Sequence, residues 1–233
     1  MPGEDLENGT RAQIYLQPIA APSILGLFGF AGATFMVAAH MAHWYGSGAT
    51  PLYLFPFAAI FGGLAQFLAG MWAFKARDGV ATAMHGTWGS FWMAYGILYL
   101  LIASGRVAPV GGAWSEIGYW YIVLAAITWV SAYAATAENS ALATVMFFLA
   151  AGATTAAIGE LAGVEWLMIL TGYLFIISAL VAWYTASAIM LEEAFGREVW
   201  SLGKSRITRA MPPVAAGAGE PGVVRGQGAY LRA

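Results

Sequence analysis

The chain has 233 residues, 60% of them hydrophobic and only 9% charged, with a formal net charge of -2. A soluble domain carries about 25% charged residues, so this chain cannot cover a water-facing surface, and it lacks the basic stripe of a nucleic-acid binder. It has no cysteine, which excludes disulfides, thiolate catalysis and thiolate metal sites.

Residues 1–20 begin with the acids Glu4, Asp5 and Glu7 and hold no short apolar core, so they do not read as a secretory signal. Between Arg11 and Lys75 there is no Asp, Glu, Lys or Arg. A membrane-spanning helix needs about 20 apolar residues, so this run holds two spans, 23–43 and 52–74. The break between them runs from Tyr45 to Pro51. Four further charge-free runs give one span each, at 80–103, 116–136, 140–161 and 166–192. None alternates polar and apolar residues as barrel strands do, and a helix satisfies its own backbone in lipid. The fold expected is all-α: a polytopic membrane protein with six transmembrane helices in one bundle over residues 21–196.

After the bundle comes a tail, 197–233. It is first basic, with Lys204, Arg206 and Arg209, and after Met211 rich in Pro, Gly and Ala, a composition expected to be disordered. Six spans put both termini on one side. Nine of the ten Lys and Arg residues fall there, against Arg106 alone on the other. The positive-inside rule then places both termini in the cytoplasm, with the chain in an inner or plasma membrane.

Small residues recur along the spans. Gly62, Gln66 and Gly70 share a face of span 2, and Gly86, Gly89, Ser90 and Gly96 lie in span 3. Such faces let helices approach. Gln66 and Ser90 add polar groups, which fits a pore lining as well as packing. His85, Trp88 and Trp92 share a face at i, i+3 and i+7. An imidazole titrates near pH 6.5, so His85 is a candidate proton handler. Its plain alternative is a neutral core histidine. Glu160 lies near the end of span 5, where a carboxylate is a functional candidate or snorkels to the interface. Trp44, Tyr45, Trp72, Trp114, Trp166 and Trp200 sit near span ends and read as interfacial anchors.

No span contains an Asp, a His-x-x-x-His pair or a Walker motif. Neither a metal, a cofactor nor catalysis is expected. A channel or secondary transporter fits better than an enzyme.

The residues Ala21-Pro22-Ser23-Ile24-Leu25-Gly26-Leu27, followed by Gly29-Phe30, resemble the signature of the succinate–acetate permease (acetate uptake transporter) family. Phe61 to Gly70, Gly89-Ser90-Phe91-Trp92, Ala157-Ile158-Gly159 and Phe195-Gly196-Arg197 resemble its later motifs, in the same order. The resemblance implies a homo-hexamer in the lipid bilayer, a pore within each protomer, and transport of acetate or a similar small carboxylate. It implies a pore constriction at Phe30, Trp88 and Leu149, with Trp88 standing where the family usually has Tyr. It also implies a carboxylate site at the signature. Pro22 suits a first helical turn, Gly26 allows close approach, and a helix N-terminus favours an anion.

Neutral donors for such an anion are Gln66, Thr87, Ser90 and the backbone near Leu25, Gly26 and Leu27. The chain departs from the family at Ala21 for Asn, Ile24 for Pro, Ala73 for Glu, Glu160 for Asn and His85 for an aromatic. Glu160 protonated during passage would couple the anion to a proton, since like charges repel. The competing readings are a channel for small neutral amides such as urea, or for ammonia, and a membrane interaction protein that moves no solute.

Overall fold

The computed structural model describes residues 19–109 and 112–203. The N-terminal segment and the basic residues from Lys204 onward lie outside the described residues.

Among the described residues, six helices are long and apolar enough to cross a membrane. They are α1 (Pro22–Met41), α2 (Thr50–Ala76), α3 (Gly79–Ala103), α4 (Ser115–Ala135), α5 (Ser140–Ala162) and α6 (Glu165–Phe195). The six expected spans are all there, and every end agrees within three residues. Helix α6 runs past the expected stop because Glu192 and Glu193 belong to its last turns, where acids reach water.

The starts follow local chemistry. Pro22 opens α1 without wasting an amide. Asp78 caps α3 by accepting from the Ala81 amide at 2.8 Å, and Asn139 caps α5 by accepting from the Leu142 amide at 2.8 Å. Helix α5 has a second cap. Its Ser140 and Ala141 amides donate to the carbonyls of Gly203 and Leu202, at 3.0 and 3.1 Å. Residues after α6 therefore fold back onto the start of α5. Trp200 anchors this return by stacking on Tyr184, with ring centroids 5.4 Å apart.

Each helix packs on the next in sequence, and α6 packs on α1, which closes a ring. Glycines allow the close approaches. A Cβ on Gly70 would stand 2.7 Å from the Gly86 amide nitrogen, and one on Gly89 would stand 2.7 Å from that of Phe67. Thus much of the small-residue face read from the sequence is used to bring α2 against α3.

Helix α2 is not uniform. Residues Ala58–Ala65 form a π-helix, just after Pro56 inside the helix. Proline removes one amide and pushes against the preceding turn, and a wider turn relieves that crowding. The Phe61 carbonyl lies so near α1 that a Cβ on Gly29 would sit 2.5 Å from its oxygen.

Candidate transport pathway

The ring of helices encloses two vestibules and a closed throat. The wide vestibule has a volume of about 490 Å³ and lies where α1 and α3 end and α4 begins. Tyr95, Tyr99, Trp114, Tyr121, His40 and Glu160 are among its walls. It narrows to a pocket of about 20 Å³ bounded by Thr34, Phe91, Trp92, Phe175 and Trp88. At the opposite end a narrow vestibule of about 130 Å³ is lined by Ser23, Leu27, Asp78, His85, Glu138 and Thr185.

Phe30, Trp88 and Leu149 lie between these spaces. On α1, Leu27 lines the narrow vestibule, Thr34 lines the small pocket, and Phe30 lies between them. On α3, His85 and Phe91 bracket Trp88 in the same way. On α5, Leu149 is one turn beyond Met146, which lines the narrow vestibule. All three residues belong to one buried cluster, at 2%, 2% and 1% exposure. The Phe30 and Trp88 rings meet edge to face, 6.4 Å between centroids. The Trp88 indole N–H donates to Thr128 Oγ1 at 3.1 Å, and that hydroxyl donates to the Leu124 carbonyl at 2.6 Å. The ring is thereby fixed within that buried layer.

Four buried side-chain atoms have no hydrogen-bond partner among the described residues: Thr34 Oγ1, Gln66 Oε1, His85 Nδ1 and Trp92 Nε1. Such atoms are uncommon, since burial without a partner is costly. Thr34 and Trp92 line the small pocket on one side of the throat, and His85 lines the narrow vestibule on the other. The His85 ring lies against Gly26, where a Cβ would come within 2.5 Å of it. Gln66 is near α1 at Gly29. Neither Thr34 nor Trp92 stood out in the sequence as a donor, because a threonine and a tryptophan inside a span usually satisfy themselves or anchor.

Other expected residues are placed elsewhere. Leu25 is 47% exposed and borders an outward apolar groove with Phe28 and Trp183. The hydroxyls of Thr87 and Ser90 donate within α3, to Ala83 and Gly86 carbonyls at 2.7 Å each, and neither residue borders the vestibules or the pocket between them.

The free amides of α1 also begin earlier than Leu25. A helix leaves its first four N–H groups open. The Ala21 amide donates to Glu193 Oε1 at 2.8 Å, Pro22 has none, and the Ile24 amide turns back to Ala21 O at 3.1 Å. Ser23 is the remaining one, and Ser23 borders the narrow vestibule with Ala21.

Glu160 is half-buried in the wide vestibule. Its Oε2 accepts from the Trp114 amide at 2.7 Å, which ties α5 to the start of α4. Trp114, read as an anchor, thus helps to build the vestibule. At the narrow end, Glu138 sits in the loop before α5. Burial first, then the nearby Asp78 carboxylate, push its carboxyl up to about 7. Among the described residues, no lysine or arginine lines either vestibule or the pocket between them.

Comparison with known proteins places this geometry among transporters. The model of the GPR1/FUN34/yaaH family matches residues 3–196. The succinate-acetate/proton symporter SatP of Escherichia coli (strain K12) is 26% identical over 188 residues, which is 80% of this chain and 97% of that protein. Ammonia transport outward protein 2 of Saccharomyces cerevisiae is 26% identical over 175 residues, covering 72% of this chain and 61% of the yeast protein. The solved structure of the bacterial acetate channel SatP superposes with a TM-score of 0.73 at 25% identity, covering 80% of this chain and all of that one.

Proposed function

We propose, since the chain belongs to the GPR1/FUN34/yaaH family, that it is an integral membrane transporter which passes acetate and related small carboxylates through its own helix ring. It performs transport and no covalent chemistry. The throat carries this reading. Two vestibules on one path meet at the buried layer of Phe30, Trp88 and Leu149, with unpaired neutral groups of Thr34, Trp92 and His85 on either side.

A carboxylate could be held there without lysine or arginine. The Thr34 hydroxyl and Trp92 indole N–H are donors, and His85 can donate from either nitrogen according to tautomer. An ionised carboxylate pays heavily to cross an apolar layer. A small carboxylic acid titrates near 4.3, so at neutral pH it must take up a proton to cross as the neutral acid. Glu160 on the wide side and His85 on the narrow side are the groups placed to exchange that proton. The apolar layer then passes the neutral acid and resists the anion.

The narrow vestibule faces the cytoplasm in this reading, because Lys75, Arg77 and Arg197 flank that end and Arg106 the other. The outward apolar faces of the ring suit lipid and neighbouring protomers of a hexamer.

Labelled acetate uptake into proteoliposomes under an inward proton gradient tests the proposal. Uptake should exceed that of empty vesicles, rise with the gradient, and lose its pH dependence in Glu160→Gln. Vesicles that pass no acetate sink the carboxylate reading. Unchanged uptake and pH dependence in Glu160→Gln sink the coupling role alone. Passage of ammonia is the second reading, favoured by the yeast relative and the unpaired His85. Methylammonium flux in the same vesicles separates the two.

A further inference from the structure

The wide vestibule has an aromatic wall that the proposed carboxylate transport does not use. Its walls carry aromatic side chains, including Tyr95, Tyr99, Trp114, Trp120 and Tyr121. Tyr95 and Tyr99 have centroids 4.5 Å apart, and Tyr99 meets Trp114 edge to face at 6.1 Å. Among the described residues, Glu160 is the one acid that lines it, and no lysine or arginine does. Among the same residues, only Oε2 of Glu160 has a hydrogen-bond partner, the Trp114 amide.

For an incoming carboxylate this is a poor entrance. Aromatic faces carry negative potential, and an ionised Glu160 would repel an anion. The same parts suit a cation. Ring faces attract ammonium groups, most strongly when these are poorly hydrated, and a carboxylate adds Coulomb attraction in a partly desolvated space. At about 490 Å³ the vestibule has room for a small organic ion, within the range of ligand pockets.

We infer that the wide vestibule is a binding site for small alkylated ammonium cations, held between the Glu160 carboxylate and the aromatic wall of Tyr95, Tyr99 and Trp114. A bare metal ion is disfavoured, because the site offers one carboxylate and few other oxygens. His40 is the other titratable side chain on the wall besides the tyrosines. It lies at the α1 end, with Nδ1 3.2 Å from the Tyr45 carbonyl oxygen.

The test is equilibrium binding to the purified full-length chain in nanodiscs at pH 8, followed by tryptophan fluorescence and by calorimetry. The probes are choline and its uncharged isostere 3,3-dimethylbutan-1-ol, which has nearly the same shape. Choline should bind, and the isostere should bind about tenfold more weakly or not at all. Glu160→Gln and, separately, Tyr99→Leu should each weaken choline several-fold, with intact folding checked by thermal melting.

Equal binding of the two probes would reduce the site to an apolar cleft and overturn the inference. So would choline that fails to bind, or that binds Glu160→Gln as tightly as the parent chain. The comparison of isosteres uses the unaltered protein, so it decides the matter even if a variant misfolds. Acetate is absent from the assay, and a negative result leaves the transport proposal standing.

Discussion

A hydrogen bond from its indole N–H to Thr128 holds Trp88 in one orientation. That bond lies wholly inside the protein, so breaking one side of it should cost more than removing both. Thr128→Val leaves the indole N–H unpaired and should lower stability by about 1–3 kcal/mol. Adding Trp88→Phe removes the orphaned donor, and the double variant should melt closer to the parent than its larger volume change suggests. Melting curves in detergent compare the three.

Glu138 gives a pH signature at the same scale. Its folded carboxyl titrates near 7, above the ordinary carboxylate range. The folded state therefore holds more protons than the unfolded state between about 4.5 and 7. Stability from this group is complete below that window and is lost as pH rises through it. The residue stays open to solvent, so screening makes the effect small. Glu138→Gln should flatten the fall in melting temperature between pH 5 and 8. A profile that keeps its full slope would show that other groups set it.

At the scale of the elements, α2 and α1 meet through a backbone contact. Gly29→Ala would drive a methyl group to within 2.5 Å of the Phe61 carbonyl oxygen, where neither partner is a flexible side chain. The expected loss is about 1–3 kcal/mol, the usual range for overpacking, and thermal melting would detect it. A neutral outcome would mean that the π-segment yields.

The helices themselves were legible, because long charge-free runs admit few other structures in a bilayer. The site was legible only in part. Glu160 and His85 stand out as ionisable groups among apolar neighbours, and Phe30 is marked by the signature resemblance. Thr34 carries no such mark, and Trp92 is marked by its motif but not as a donor. What distinguishes them is that no partner reaches them, a property of packing and not of residue type. The sequence points to the backbone near Leu25 to Leu27, whereas the open amide of the first turn belongs to Ser23. Which amides remain open depends on how Ala21 and Glu193 meet, and those residues are 172 positions apart. The π-segment has no counterpart in the sequence reading, and Pro56 is the residue that could have signalled it.

For the whole molecule, the distribution of charge makes a prediction about sidedness. The chain has no cysteine, so single cysteines can be placed without background. Ser104→Cys lies at the wide-vestibule end and Glu198→Cys at the narrow end, both exposed. In intact cells, a membrane-impermeant maleimide should label the first and spare the second. The reverse pattern would invert the orientation and place the aromatic vestibule in the cytoplasm.

The wide turn of α2 bears on how this chain compares with others. A π-turn behaves as one extra residue within an α-helix, and the chain beyond it is rotated by about a quarter-turn or more relative to the chain before it. The pattern of inward and outward faces before Ala58 therefore does not continue in phase after Ala65. Relatives that keep an unbroken α-helix here should be one residue shorter between Pro51 and Lys75, and a correct alignment should open a single gap there. Without that gap, Gln66 and Gly70 would be matched to residues on the wrong face, and inherited assignments for the second half of this span would be shifted by one.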